Sequence, residues 1–253
     1  MRIVRFQNKN EVPHFGWLLE GKIGLIEGDL FGEYRRQEAA LPVEEVRLLA
    51  PIWPSKIICV GRNYVEHAKE HNAEVPKIPL IFMKPPSAII NPGDTILLPP
   101  QSAQVEHEAE LVAVIGKRGR AIPADEAASY ILGYTIGNDV TARDLQRSDG
   151  QWTRAKGFDT FCPFGPWIDT EFDPSDAVIS CRVNGQIRQM ASTHDMVFSV
   201  PTLVAFISSV MTLEPGDLIF TGTPAGVGPL KAGDIVEVEI ENLGKLSNPV
   251  SVE

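Results

Sequence analysis

Cysteine is scarce in this sequence, and the three present, Cys59, Cys162 and Cys181, lie far apart, with none in a CxxC pair. An odd number of widely spaced cysteines argues against a disulfide framework and against a zinc site. We therefore expect three reduced thiols that are buried as small apolar side chains.

Basic residues are also in deficit, because 23 lysines and arginines stand against 33 aspartates and glutamates, for a formal net charge of -10. This balance argues against nucleic acid and against an anionic membrane surface as partners. No stretch has the roughly 18 uninterrupted apolar residues needed to span a bilayer. Residues 1–7 lack an apolar signal segment, so we expect a cytoplasmic protein.

The 253 residues, 43% of them hydrophobic, are enough to bury a large core. Residues 1–50 alternate apolar and polar positions around a Gly21-Lys22 turn, which predicts a small unit of strands and hairpins. Prolines at positions 51 and 54 interrupt regular structure. We therefore predict an N-terminal β subdomain over residues 1–52 and a larger domain over residues 53–253.

An acidic segment at residues 105–110 leads into an apolar run that ends at Gly116 and predicts a buried strand. Side chains alternate along a strand, so Glu108 and Glu110 share a face, with Cα atoms about 7 Å apart. Two such carboxylates can converge on a hard cation such as Mg²⁺. The alternative is an ordinary solvated strand end, and we assign Glu106 to that category.

A third acidic candidate follows a predicted helix. Residues 123–133 begin with proline and acids and end at Gly133, a pattern typical of a helix. Residues 134–140 then return as a strand that carries Asp139.

His67 and Glu70 are three residues apart in a polar segment with helical propensity. On a helix their side chains are neighbours, so the carboxylate could orient the imidazole and raise its basicity. The alternative is an exposed helix face with a routine charge pair. Residues 72–79 are polar and contain prolines, which predicts a loop that could serve as a lid.

Arg143 and Lys156 belong to a polar, aromatic and glycine-containing stretch between core segments. Either could pair with a substrate carboxylate, although a surface cation is the commoner explanation for any single one. The glycine-rich loop at residues 221–229 lacks the GK[ST] ending of a phosphate loop, so nucleotide binding is not supported. Its backbone N–H groups could still bind a small anion.

Six short motifs occur along the chain in a fixed order. They are Val60-Gly61-Arg62-Asn63-Tyr64 with His67, Phe82-Met83-Lys84-Pro85, His107-Glu108-Ala109-Glu110-Leu111, Asn138-Asp139-Val140-Thr141-Ala142-Arg143-Asp144, Lys156-Gly157-Phe158-Asp159-Thr160-Phe161, and Gly216-Asp217 followed by residues 221–228. In this order they resemble the fumarylacetoacetate hydrolase family, particularly its bacterial hydrolase and isomerase members. The resemblance begins near Lys56. It implies an α+β, mainly β fold of mixed rolled sheets with a few helices, and a homodimer.

The resemblance also implies the site. Members bind one Mg²⁺ or Mn²⁺ through three carboxylates, which by motif position are Glu108, Glu110 and Asp139. His67 with Glu70 matches the acid/base dyad, and Lys156 matches the lysine that stabilises a developing oxyanion. The positions expected to bind substrate are Arg143, Gln146 and Thr223.

Members of this family act on small 2-oxo or β-diketo acids through a metal-stabilised enolate. Hydrolytic cleavage of a C–C bond is the leading prediction for this chain. The alternatives at the same site are isomerisation of a 2-hydroxyhepta-2,4-diene-1,7-dioate in aromatic catabolism and decarboxylation of an oxaloacetate-like acid. A noncatalytic protein that binds a metal or a small acid is a further alternative, although His67, Glu70 and Lys156 argue against it.

Overall fold

The computed structural model describes residues 1–8 and 12–253. Strands dominate these residues. Those of the first half are β1 (Arg2–Gln7), β2 (His14–Leu19), β3 (Lys22–Gly28), β4 (Tyr34–Arg36), β5 (Leu41–Pro42), β6 (Arg47–Leu49), β7 (Ile57–Gly61), β8 (Leu80–Lys84), β9 (Ile89–Ile90), β10 (Ile96–Leu98), β11 (Val105–His107) and β12 (Ala109–Ile115). Those of the second half are β13 (Ile131–Asn138), β14 (Thr141–Ala142), β15 (Cys162–Asp169), β16 (Val178–Val183), β17 (Gln186–Ser192), β18 (Leu218–Phe220), β19 (Gly228–Pro229), β20 (Ile235–Ile240) and β21 (Gly244–Val252).

Helices are few and short. The α-helices in the described residues are α1 (Val65–Glu70), α2 (Arg143–Asp149), α3 (Thr153–Lys156) and α4 (Val200–Val210), and the 3-10 helices are Val43–Glu45, Pro86–Ala88, Ala127–Tyr130 and Thr193–Asp195. None of these helices has the length and apolar character needed to cross a bilayer. The predicted α+β, mainly β class is confirmed.

The strands of the described residues form three sheets. The largest has the order β4-β3-β2-β1-β15-β13-β12-β18-β7-β8, with β5, β6 and β9 attached beside this path. A second sheet has the order β10-β21-β20-β16-β17, and a third has the order β14-β11-β19. Pairing is mostly antiparallel, and the parallel pairs are β18–β7, β10–β21 and β15–β9.

Strand β12 divides the core. Leu111, Ala113 and Ile115 pack into one apolar cluster, whereas Val112 and Val114 pack into another on the opposite face. Because both faces are covered, every residue of β12 is buried, which explains its unbroken apolar composition. The acidic residues at its start are therefore carried into the interior.

The helix predicted over residues 123–133 is wrong. A 3-10 helix at Ala127–Tyr130 takes its place, and β13 begins immediately afterwards at Ile131. Gly133 lies inside this strand, where an added Cβ would come within 2.5 Å of the Asp169 carbonyl oxygen. Its glycine therefore permits a close backbone approach and does not end a helix.

The predicted N-terminal hairpins are present, since β1 pairs with β2 and β2 pairs with β3. Strand β1 also pairs with β15, so these strands extend the sheet that contains β12. The division of the chain at residue 52 stays a prediction. All three cysteines are free and buried, as expected.

Candidate active site

Two adjacent strand segments bring three acidic side chains together. Glu108 lies between β11 and β12, Glu110 is the second residue of β12, and Asp139 directly follows β13. Backbone hydrogen bonds fix their positions, because the Asp139 N–H donates to the Glu108 carbonyl at 2.9 Å. One carboxylate oxygen of each acid lies within 4.8 Å of the others, and each residue is at most 4% exposed.

Buried cations contact two of these acids. Lys156, the last residue of α3, donates to Glu108 Oε2 at 2.8 Å and to Asp139 Oδ2 at 2.7 Å. Arg143 donates to Glu108 Oε1 at 2.5 Å. Burial alone would raise the pKa of Glu108, but the charges of Lys156 and Arg143 outweigh it and hold that pKa well below its ordinary value.

Glu110 has different surroundings. It accepts a hydrogen bond from the Gly222 N–H at 2.8 Å, and no lysine or arginine in the described residues forms an ion pair with it. Burial and the neighbouring charges of Asp139 and Glu108 raise its pKa well above the ordinary value. Gly222 has φ +96°, and an added Cβ would come within 2.7 Å of the Asn63 Cβ, so only glycine fits this close approach.

This donor set fits a hard divalent cation. Three buried cations, Lys84, Arg143 and Lys156, pair with acids of this region. The acids number four, namely Glu106, Glu108, Glu110 and Asp139, so one negative charge is left uncompensated when every group is ionised. Carboxylate oxygens are the ligands preferred by Mg²⁺ and Mn²⁺. An ion bound by Glu108, Glu110 and Asp139 would relieve the repulsion that raises the pKa of Glu110.

Glu106 is not the solvated strand end expected from the sequence. It is 5% exposed and accepts hydrogen bonds from Arg143 Nε at 2.7 Å and from Gln104 Nε2 at 2.6 Å. The expectation failed because the partner cation comes from α2, distant in sequence. The Arg143 guanidinium therefore donates to both Glu106 and Glu108. Its Nη1 also donates to Gln146 Oε1 at 2.6 Å.

The predicted dyad is formed on α1. His67 Nδ1 lies 3.4 Å from Glu70 Oε2, and His67 is 6% exposed. Both carboxylate oxygens of Glu70 accept from the Gly226 N–H at 3.2 Å, which ties α1 to the glycine-rich loop. Burial raises the pKa of Glu70, but the hydrogen bonds from His67 and Gly226 outweigh it and lower the pKa below the ordinary value.

A cavity of about 360 Å³ connects these groups. Its walls include Arg62, which belongs to the first motif, and seven of the predicted site residues: His67, Glu108, Glu110, Arg143, Gln146, Lys156 and Thr223. Glu70 does not line the cavity itself but contacts His67, which does. Asp139 is fully buried and contacts the lining residue Lys156. All the predicted site residues are therefore brought together, while their individual roles stay predictions.

Two supporting residues carry no role in the sequence analysis. Lys84, at the end of β8, is 1% exposed and donates to Asp139 Oδ1 at 2.5 Å. Gln189, on β17, is 1% exposed and donates to Thr223 Oγ1 at 2.7 Å. A lysine that ends an apolar strand was a usable signal for Lys84, whereas a glutamine in a hairpin gives none.

Known protein families match both parts of this sequence. A family profile described as fumarylacetoacetate (FAA) hydrolase C-terminal matches residues 56–251, and a profile described as Rv2993c-like, N-terminal matches residues 1–51. The chain belongs to the fumarylacetoacetate hydrolase family. The human mitochondrial oxaloacetate tautomerase FAHD2B is 49% identical over 227 residues, which cover 85% of this chain and 72% of that protein.

Solved structures of this family agree with the fold over essentially the full length. A 5-carboxymethyl-2-hydroxymuconate delta-isomerase from Mycobacterium smegmatis superimposes with a TM-score of 0.92 at 47% identity and covers 100% of both chains. A maleylpyruvate hydrolase from Sphingobium, in complex with manganese and pyruvate, gives a TM-score of 0.82 at 32% identity and covers 99% of both chains. Proteins similar to this chain therefore include an isomerase and a hydrolase with this architecture, and a tautomerase that is similar in sequence.

Proposed function

We propose that this protein is a divalent-metal-dependent enzyme that moves a proton between carbon and oxygen in a small 2-oxo acid, as an isomerase or tautomerase does. The observation that carries the proposal is the meeting of the His67–Glu70 dyad and the three-carboxylate cluster at one cavity. Similar proteins at 47% and 49% identity carry isomerase and tautomerase names, which favours proton transfer over the hydrolysis placed first from the sequence.

The charges around the cavity favour an anionic substrate. Four cations, Arg62, Arg143, Arg147 and Lys156, line it against two acids, Glu108 and Glu110, although the chain as a whole is acidic. In the proposed binding mode, Arg143 and Gln146 contact the substrate from α2, and Thr223 contacts its carboxylate from the glycine-rich loop. Gln189 holds the Thr223 hydroxyl in place for this contact.

In the proposed reaction, Glu108, Glu110 and Asp139 hold Mg²⁺ or Mn²⁺. When bound, the cation would draw electrons from a substrate carbonyl and so acidify the adjacent C–H bond. His67 removes this proton and returns it at the other end of the conjugated system, which makes the reaction an isomerisation with no net gain or loss of atoms. Glu70 stays ionised because its pKa is lowered, and it orients the imidazole.

The test is proton exchange at carbon. Oxaloacetate in D₂O with Mg²⁺ should exchange its C3 protons faster with the enzyme than without it, as followed by NMR. His67→Asn should lower the acceleration by about 10² to 10⁴-fold while retaining Mn²⁺ binding. If the wild-type protein with bound metal gives no acceleration with oxaloacetate or with a 2-hydroxymuconate-type diacid, proton transfer is not its reaction.

Hydrolytic C–C cleavage is the second candidate. The maleylpyruvate hydrolase with bound manganese and pyruvate favours it, because that protein shares the fold at 32% identity. A coupled assay for pyruvate release from acylpyruvates separates the two reactions. Release of pyruvate at a rate that exceeds proton exchange would make hydrolysis the function.

We also propose a cytoplasmic homodimer, as the family resemblance implies. Sedimentation equilibrium of the full chain should give twice the monomer mass of 27.8 kDa. A monomer mass at micromolar concentration would contradict the dimer without affecting the proposed reaction.

A further inference from the structure

The end of helix α1 brings together three side chains of types that can bind metals. His67 and Glu70 lie on the helix, and His71 is the residue directly after it. The His71 N–H donates to the His67 carbonyl at 3.4 Å, so positions i, i+3 and i+4 are neighbours as they are on a helix. One ligand atom from each lies within 4.8 Å of the others. The two imidazole rings meet edge to face, with centroids 4.7 Å apart. This group is separate from the carboxylate cluster, with which it shares no residue.

One donor in this group lacks a partner. Among the described residues, nothing accepts from or donates to His71 Nε2, although the atom is buried. An unsatisfied buried nitrogen is costly, and a ligand that binds it recovers that cost. Burial lowers the pKa of His71, and the charges of Arg143 and His67 lower it further, which favours the neutral imidazole that binds metals.

The remaining donors are already held in position. Glu70 is tied to Gly226 by both oxygens, and His67 is 6% exposed against the cavity wall. Both histidines line the cavity of about 360 Å³, so an ion can reach them from the side that admits substrate. The nearby charge of Arg143 is compensated by its ion pairs with Glu106 and Glu108.

The donor types select a different class of metal from the carboxylate cluster. Two imidazoles and one carboxylate suit Zn²⁺, Cu²⁺ and Ni²⁺, whereas three carboxylates suit Mg²⁺ and Mn²⁺. A histidine pair at i and i+4 is the spacing by which one helix turn presents two nitrogens to a single ion.

We propose that His67, Glu70 and His71 form a second metal site, selective for Zn²⁺ over Mg²⁺, whose occupation inhibits the enzyme. Zinc bound there takes the imidazole of His67 as a ligand, so the dyad can no longer accept a proton. Zinc binding stands independently of the reaction, while the inhibitory effect rests on the proposed function.

Calorimetric titration of the full chain with Zn²⁺ tests the binding. Saturating Mg²⁺ is present throughout to occupy the carboxylate cluster. We expect one zinc ion per chain, and His71→Gln should weaken binding by about 10-fold or more. The matched control is His194→Gln, which alters an exposed histidine and should bind zinc like the wild type. Equal affinity in His71→Gln and the wild type would overturn the site.

A spectroscopic measurement identifies the ligands directly. Cu²⁺ bound in the wild type should show two nitrogen ligands by electron paramagnetic resonance, and His71→Gln should show one fewer. Thermal unfolding of each variant without metal verifies that it is folded. An unchanged copper spectrum in a folded His71→Gln variant would contradict the assignment.

Inhibition is measured separately, as proton exchange at fixed Mg²⁺ with increasing Zn²⁺. The zinc concentration that halves the wild-type rate should rise about 10-fold in His71→Gln, in proportion to its weaker binding. Zinc binding without loss of rate would overturn the inhibitory role. If no turnover is found with any substrate, calorimetry and copper spectroscopy still decide whether the site exists, so the two proposals fail separately.

Discussion

The carboxylate cluster and helix α1 face the same cavity but are held in different ways. Glu108, Glu110 and Asp139 are 0 to 4% exposed. They lie at the ends of β12 and β13, and each of these strands is paired with a neighbouring strand on both sides. Helix α1 has only six residues, and the side chain of Glu70 is 33% exposed. Residues 72–79, which follow it, contain no helix or strand.

This difference separates two tasks of the proposed reaction. The cluster is built into the core, where a bound ion and its compensating cations keep fixed positions, as electrostatic catalysis requires. The dyad is attached by the Gly226 hydrogen bonds and by packing of a short helix, which suits a group that must follow its substrate. Substitutions on the two sides should therefore change different measured quantities.

The largest effect is expected from Glu110→Gln. Glu110 forms no ion pair with any cation of residues 1–8 and 12–253, so the substitution removes one ligand and leaves the ion pairs of Glu108 and Asp139 intact. Turnover should fall about 10³-fold or more, since several kcal/mol of charge stabilisation are lost with the metal. Mn²⁺ binding followed by calorimetry should weaken in parallel, and full turnover would remove Glu110 from the metal site.

Glu108→Gln provides the matched contrast within the cluster. It also removes a metal ligand, but it leaves Arg143 and Lys156 with one charged partner fewer in the interior. Breaking a buried ion pair is strongly destabilising. Without metal, the melting temperature should therefore fall for Glu108→Gln and remain unchanged or rise for Glu110→Gln. The reverse order would contradict the charge distribution described for the cluster.

His67→Asn tests the other side of the comparison. Loss of a general base typically lowers turnover by about 10² to 10⁴-fold. Because His67 forms no hydrogen bond or ion pair with the three carboxylates in the described part of the chain, Mn²⁺ affinity should remain that of the wild type. A parallel loss of metal affinity would show that the two regions are not independent.

The strands that carry the cluster were predictable because burial leaves a plain trace in composition. An apolar run such as residues 111–115 needs both faces of a sheet covered, and the structure covers them. The 3-10 helix at Ala127–Tyr130 was not predictable, because proline, acids and a following glycine serve a helix and a turn-to-strand junction equally.

The residues that gather at the candidate site were predictable from the sequence, but the side-chain contacts between them were not. The six motifs located Glu108, Glu110, Asp139 and Lys156, yet the burial of Glu106 depends on Arg143, 37 residues further along the chain. Such a contact is decided by tertiary packing and leaves no local pattern. Gln189 was missed for the same reason, since it reaches Thr223 from a strand that otherwise resembles a surface hairpin.

Glu106→Gln tests a pairing that only the structure shows. The amide cannot hold the guanidinium of Arg143 as an ion pair, so the substrate should bind less well and KM should rise more than kcat falls. Replacing a residue that holds another functional side chain in place typically lowers activity by about 10- to 100-fold. Steady-state kinetics with Glu106→Asp as the rescuing variant, and with Glu214→Gln as the control at a partly exposed ion pair, should separate positioning from a general loss of stability.

The smallest effect is a pH dependence of the metal-free protein. Burial, Asp139 and Glu108 raise the pKa of Glu110 above its ordinary value of about 4.3, so the folded state keeps a proton that the unfolded state releases. The stability that the Glu110 proton contributes is therefore fully present below the ordinary pKa and is lost as pH rises through the raised pKa.

Calorimetric melting temperatures measured from about pH 5 upward should show this decline, at about 2 to 4 °C for each kcal/mol lost. Glu110→Gln cannot ionise, so the part of the decline due to this carboxyl should disappear in the variant. Saturating Mg²⁺ should also remove it in the wild type, because the ion favours the ionised carboxylate. Identical pH profiles for the two metal-free proteins would mean that Glu110 is already stabilised as an anion by its surroundings, and the contrast between Glu110 and the paired acids Glu108 and Asp139 would then be lost.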